Sequence, residues 1–169
     1  PFAPDPDSIC ILDIAHALSN KCRFSGHTVR FWSVGAHSLL VSRHSEDSLW
    51  GLMHDASEAY LPDVPSPLKA RMPEYKRLES VVMKAIADKY SLDWPMPSQV
   101  HEADKSVMMY EKSFLMPDTG REWSYEFTLG MQPIEEGDYE RQVRSEHSMS
   151  AQRIRDLFEE EFEELFNSK

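Results

Sequence analysis

A chain of 169 residues is ordinarily one domain, large enough to bury a core of its own. Its 29 Asp and Glu against 18 Lys and Arg leave a net charge of −11. That balance argues against a track for duplex DNA or RNA, where a basic face is usual, and favours a small phosphorylated substrate met by a few converging cations and a metal. No apolar run approaches the roughly 20 residues needed to span a bilayer, so no membrane partner is expected, and no signal peptide is visible. The two cysteines, Cys10 and Cys22, have no framework or zinc-site spacing and read as buried thiols of a reducing cytosol.

The pattern along the chain is helical. Ser8 is placed to cap a first helix whose Ile11, Ile14, Ala15 and Leu18 recur at helical spacing. Residues 20–30 form a polar loop containing Gly26. Ser33 is placed to cap a second helix with Val34, His37, Leu40 and Val41, and Ser45 or Asp47 starts a third that runs to about Tyr60. Pro62, Pro65 and Pro67 then predict a rigid, extended loop, because each fixes φ and restrains the residue before it. Pro73 opens a long helix with Leu78, Val81, Val82, Ala85 and Ile86 inward. Another runs from about Ser98 to Met116 and stops at Pro117. Around 121–134, Trp123, Tyr125 and Phe127 alternate with polar neighbours, the pattern of a short strand or hairpin. Ser150 begins a final amphipathic helix with Ile154, Leu157, Phe158, Phe162 and Leu165 on one side. The acidic run Glu159, Glu160, Glu161, Glu163 and Glu164 reads as its solvated face. The expectation is an all-α helical bundle, a single domain over residues 1–169.

Four residues on these elements point to metal chemistry: His37, the adjacent pair His54 and Asp55, and Asp104. Imidazoles together with carboxylates suit one divalent transition metal, Co, Mn, Zn, Ni or Fe. Ligands drawn from three separate helices can close around one ion and still leave positions for water and substrate, as a catalytic metal requires. Glu58 falls four positions after His54 and three after Asp55, one helical turn away on the same face. A carboxylate there can orient or deprotonate an attacking water; the bland alternative is a surface glutamate. Asp63 follows on the proline-rich loop, over the same site or simply as a turn residue. His101, three positions before Asp104, belongs to no ordered second set of ligands, so a single metal is expected.

The order His37, His54-Asp55, Asp104 resembles the HD-domain phosphohydrolases. The likeness extends to Lys21-Cys22-Arg23-Phe24-Ser25-Gly26-His27 within segment 18–28, and to segments 31–42 and 52–69. These look like the branch of small bacterial and phage 5′-deoxynucleotidases and dATP triphosphohydrolases. The resemblance covers residues 9–116. It implies an HD-domain bundle with Glu58 and Asp63 as an acid–base pair, and with Arg23 set against the substrate phosphate and ribose. A guanidinium suits phosphate because it offers parallel donors at fixed spacing. His27 is a candidate phosphate donor or a loop-packing residue. Lys69 is placed to reach a β- or γ-phosphate, and Tyr75 and Lys76 are further candidates.

The activity implied is metal-dependent hydrolysis of a deoxynucleotide. Segment 20–28 looks more like the phage and prophage members, which favours a dATP-preferring triphosphohydrolase giving deoxynucleoside and triphosphate. A 5′-deoxynucleotidase acting on dNMPs is the alternative, and a catalytically silent HD binding module is the alternative of another class. The motifs that mark hydrolases of alarmones or cyclic dinucleotides do not occur. A homo-oligomer is expected, in the cytoplasm, or the host cytoplasm if phage-encoded.

Overall fold

Helix α1, Ile11–Asn20, buries Ile14, Ala15 and Leu18 completely. The computed structural model from which this is read describes residues 2–117 and 150–168, with positions 120, 134, 137 and 141. Ser8 does not cap α1. Pro6–Ser8 forms a separate 3₁₀ turn closed by Asp5, whose side chain accepts from the Asp7 N–H at 3.0 Å. Pro6 fits that first turn because its missing N–H would have no partner there. Ile9 is then extended, and Cys10 precedes α1.

The second helix, α2, Val34–His44, is the centre of the molecule, and every residue from 34 to 42 is buried. Its start is local chemistry: the Ser33 hydroxyl accepts from the Ala36 N–H at 3.1 Å. Helix α3, Ser48–Met53, begins the same way, with Asp47 accepting from the Trp50 N–H at 3.0 Å. It ends sooner than the expected Tyr60. His54 terminates it, Asp55 leaves helical geometry (φ −101°, ψ 12°), and Ala56–Ala59 is a 3₁₀ turn. Two side chains hold the chain at the break. His54 Nδ1 donates to the Gly51 carbonyl at 2.8 Å, and the Lys21 ammonium donates to the carbonyls of Glu58 and Leu61. The last carbonyls of a helix have no partner within it, and His54 supplies one to Gly51, while Lys21 holds the turn that follows.

The proline-rich loop is also less extended than expected. It contains one short turn, α4, Ser66–Lys69, in which the Pro65 carbonyl accepts from Leu68 and Lys69 at 2.9 Å each. Pro67 sits in the first turn of α4, where a missing N–H costs nothing. Helix α5 runs Pro73–Tyr90, α6 runs Ser98–Leu115 and α7 runs Ala151–Asn167, the last capped by the Ser150 hydroxyl at 3.2 Å from the Arg153 nitrogen. The hairpin expected around 121–134 lies outside the described residues, apart from Ile134, which packs partly buried against the core. The described residues are all-α; their β-pairing is one isolated antiparallel bridge, Cys22 with Ser33, that closes the base of the loop between α1 and α2.

Helices α1, α3, α6 and α7 all pack on α2. Two glycines allow the closest approaches. A Cβ on Gly51 would lie 2.8 Å from the Val41 carbonyl oxygen, and one on Gly35 would lie 2.9 Å from Ile154 Cγ2. From α7, Ile154, Phe158 and Phe162 enter the core, and Phe162 meets Tyr90 of α5 edge to face at 5.1 Å. Each such side chain contributes about 1.5–3 kcal/mol by leaving water. Cys10 and Cys22 are free and half-buried, a correction to their expected full burial. Among the described residues no helix is long and apolar enough to cross a membrane.

Candidate metal centre

Where α2, α3 and α6 converge, His37, His54 and Asp104 each offer one donor atom, and the three atoms lie within 4.8 Å of one another. His37 projects from the middle of α2 and is completely buried. Its Nε2 lies 3.0 Å from Asp104 Oδ1, while its Nδ1 lies 3.1 Å from Glu111 Oε1. Asp104 and Glu111 are two turns apart on α6, so one imidazole spans between them. With the Nδ1 hydrogen donated to Glu111, Nε2 presents its lone pair toward Asp104. A carboxylate behind a histidine in this way fixes its tautomer and raises its basicity as a metal ligand.

His54 has the same polarity for a different reason. Its Nδ1 donates to the Gly51 carbonyl, which turns Nε2 toward the carboxylates. There Nε2 lies 3.2 Å from Asp55 Oδ2 and 4.0 Å from Asp104 Oδ1, buried and without a hydrogen-bond partner. Two carboxylates facing Nε2 favour positive charge there, whether a proton on the ring or a metal ion bound among the three groups. The electrostatics express this directly. Burial opposes a charge on His54, but Asp55 and Asp104 beside it raise its pKa to about 9. Asp55 and Asp104 are held below the usual carboxylate range despite burial, Asp55 chiefly by His54 and Asp104 chiefly by its contact with His37. His37, His54 and Asp104 could therefore hold a metal ion, with Asp55 at their edge. Asp55 and Asp104 keep 25% and 33% of their side-chain surface exposed, so the group opens to solvent on the carboxylate side.

No protein-family model matches the sequence. The chain is 44% identical to the uncharacterized protein YfdR of Escherichia coli over 119 residues, 69% of this chain and 67% of YfdR. The chain belongs to the YfdR family. It is also 32% identical to an uncharacterized protein of Rhodobacter capsulatus over 116 residues, 62% of this chain and 59%, less than two thirds, of that protein.

In this member of the family, Arg23 joins the centre. It lies in the 3₁₀ turn Arg23–Gly26, whose Phe24 and Ser25 both take φ near 51°, a left-handed conformation that costs non-glycine residues energy. Main-chain bonding holds this loop: the Arg23 N–H donates to the Trp32 carbonyl at 2.8 Å. The guanidinium sits between two acids, with Nε 3.1 Å from Glu111 Oε2 and one terminal nitrogen 3.8 Å from Asp55 Oδ2. Burial opposes its charge, but Glu111, Asp55 and Asp104 raise its pKa.

Glu58 is buried in the turn after α3, and its Oε2 has no hydrogen-bond partner among the described residues. Burial first, then the charges of Asp55 and Asp63, push its pKa up to about 9, against a smaller opposing effect of Lys69 and Lys21.

No hydrogen bond or ion pair among the described residues joins the remaining candidates to His37, His54 or Asp104, although the charges of Asp63 and Lys69 act on Glu58. Asp63 and His27 are exposed on their loops, and Lys76 is exposed on α5. Tyr75 donates to the Pro62 carbonyl. Lys69 pairs with Glu79 at 2.6 Å, and its ammonium lies 5.8 Å from the Tyr75 ring centre.

Three contributors escaped the sequence reading. Glu111 occupies a core position of α6, in register with buried Val100, Ala103, Val107 and Leu115. An acid in an apolar stripe is a signal, because a buried carboxylate requires partners. Trp32, whose indole donates to Glu111 Oε1 at 2.7 Å, and Lys21, which holds the Glu58 turn, carry no such signal.

Proposed function

We propose that this protein is a metal-dependent phosphohydrolase of the HD-domain kind, acting on deoxynucleotides, with dATP as the lead substrate and deoxyadenosine and triphosphate as products. The observation that carries the reading is the convergence of His37, His54 and Asp104, with His54 Nε2 buried and lacking any partner but carboxylate oxygens. A divalent transition metal bound there would polarise a phosphoryl oxygen and lower the pKa of a bound water. The cationic edge of Arg23, beside Asp55, suits the oxygens of the phosphate under attack. Glu58 is three residues beyond Asp55, in a site that resists its ionisation. In its carboxylate form it takes the proton of the attacking water; in its acid form it passes a proton to the departing 5′-oxygen. Asp63, exposed on the following loop, is by resemblance the second member of that pair.

One observation favours monophosphates as a second reading. Lys69, the cation assigned to the outer phosphates, is already paired with Glu79. A dNMP makes no demand on it.

The deciding experiment incubates the protein, loaded with Co²⁺ or Mn²⁺, with each dNTP and dNMP and separates products by chromatography. Deoxyadenosine and intact triphosphate from dATP support the first reading, and deoxynucleoside from dNMPs alone supports the second. No turnover of any of them by protein that retains bound metal would overturn both. Reaction in ¹⁸O-labelled water locates the attack: early dADP from dATP would show that the site reads the phosphate chain from its outer end.

A further inference from the structure

Glu111 lies outside the donor group and away from its solvent side, yet it contacts both His37 and Arg23. It is 0% exposed. Oε1 accepts from Trp32 Nε1 at 2.7 Å and from His37 Nδ1 at 3.1 Å, and Oε2 lies 3.1 Å from Arg23 Nε. Burial opposes its charge, but Arg23 beside it keeps it ionised. An anchor for the core needs no more than the indole and the guanidinium. The contact with His37 is of another kind, because the opposite nitrogen of that ring faces Asp104 in the donor group. The contact with Arg23 is equally selective. It is an ion pair at Nε, at the stem of the guanidinium and without the alignment of a hydrogen bond, and it leaves a terminal nitrogen 3.8 Å from Asp55 Oδ2.

We propose that Glu111 is a positioning residue that couples the two halves of the site, turning His37 Nε2 toward the metal and aiming the terminal nitrogens of Arg23 at the oxyanion that the metal would share. The inference rests on the metal-centre reading. One buried carboxylate then governs both cation and anion affinity, although its side chain meets neither. The chain reinforces this arrangement, since Arg23 and Trp32, two of the partners of Glu111, are bonded to each other through the main chain.

The test uses full-length protein and two probes, Co²⁺ titrated into chelator-stripped protein and inorganic phosphate titrated into the Co²⁺-loaded protein. Glu111→Gln keeps the size and one acceptor oxygen but removes the charge and sets an amide against Arg23. Its Co²⁺ affinity should fall by about 10- to 100-fold, the usual effect of losing a residue that orients a metal ligand. Its phosphate affinity should fall as well. Glu111→Asp keeps the charge with a shorter reach and should lie between the two proteins on both measures. Binding is compared well below each variant's melting temperature, where a merely structural role changes neither affinity. Should Glu111→Gln fail to fold, Glu111→Asp decides. Wild-type affinity for both probes in the folded variant would make Glu111 a core anchor and overturn the proposal. Loss of one affinity without the other would overturn the coupling. Asp104→Ala separates the premise from the inference: if it binds Co²⁺ as well as the wild type does, the metal-centre reading itself has failed.

Discussion

Lys21 reaches across 37 positions of sequence to donate its ammonium to the main-chain carbonyl of Glu58, and it donates again to the carbonyl of Leu61 at 2.8 Å. The residue two positions before Arg23 thus holds the turn that presents Glu58. Replacing Lys21 with Met keeps the apolar stem and removes both bonds. Hydrogen bonds from a charged donor are worth about 1.5–3 kcal/mol each, so losing both in Lys21→Met should lower the melting temperature by roughly 6–24 °C. Turnover should fall while bound metal, measured by elemental analysis, stays at the wild-type level. Unchanged turnover would show that the Glu58 turn holds its shape without Lys21.

Gly51 sets how closely α3 approaches α2, and with it the 5.1 Å separation of the His37 and His54 rings. In Gly51→Ala the new methyl meets the Val41 carbonyl oxygen at 2.8 Å and Ser42 Cα at 2.9 Å, main-chain atoms that cannot swing aside. Overpacking of this kind costs about 1–3 kcal/mol. The urea midpoint should drop accordingly, and Co²⁺ should bind more weakly. A variant as stable as the wild type, with undiminished Co²⁺ affinity, would refute the close-packing argument.

Glu58 gives a pH signature in the metal-stripped protein. Its pKa rises on folding from an ordinary 4.5 to about 9, so the folded state holds the proton more tightly than the unfolded state. The stability contributed by that proton is fully present below pH 4.5 and is lost as pH rises toward about 9. Glu58→Gln mimics the protonated form and should not suffer the loss. Its melting temperature relative to the wild type should therefore increase from pH 5 to pH 9. Parallel curves for the two proteins over that range would mean that Glu58 ionises as freely as in the unfolded chain.

The acids of the centre should separate into two ranks. Asp104 belongs to the three-residue donor group, whereas Asp55 sits at its edge between His54 and Arg23. Asp104→Ala should lose nearly all bound Co²⁺. Asp55→Ala should retain more of it and still lose nearly all turnover, with helix content unchanged by circular dichroism. The reverse order of metal loss would make Asp55 the stronger ligand.

Lys69 tests the outer phosphates. If it leaves Glu79 to meet them, Lys69→Ala should raise KM for dATP more than for dAMP. Equal effects on the two substrates would leave Lys69 as the partner of Glu79 and no more.

Local chemistry determined most of the fold. The Ser33, Asp47 and Ser150 caps and the start at Pro73 were legible because a cap acts on the residues next to it, and Val82, Ala85 and Ile86 of α5 and Ile154, Phe158 and Phe162 of α7 because burial follows helical period, whereas Leu78 and Val81 are only half-buried. The donor group that could hold a metal was legible for a similar reason, because His37, His54 and Asp104 are chemically distinctive, although Asp55, expected as a fourth ligand, lies at its edge. The end of α3 was not legible. Its spacing favours continuation to Tyr60, but the chain leaves helical geometry at Asp55, and the turn that follows is held by the ammonium of Lys21, which comes from α1's far end. Nor could spacing tell that Lys69 would be taken up by Glu79 or that Asp63 would be exposed. The role of Glu111 was half-written, as an acid in an apolar stripe, but its partners His37, Trp32 and Arg23 come from elements far away in sequence. Sequence carries the elements and the donor atoms because those depend on near neighbours and on residue chemistry. Which carboxylate turns which imidazole, and which cation faces it, depends on how α2 and α6 are brought together, and only the tertiary structure decides that.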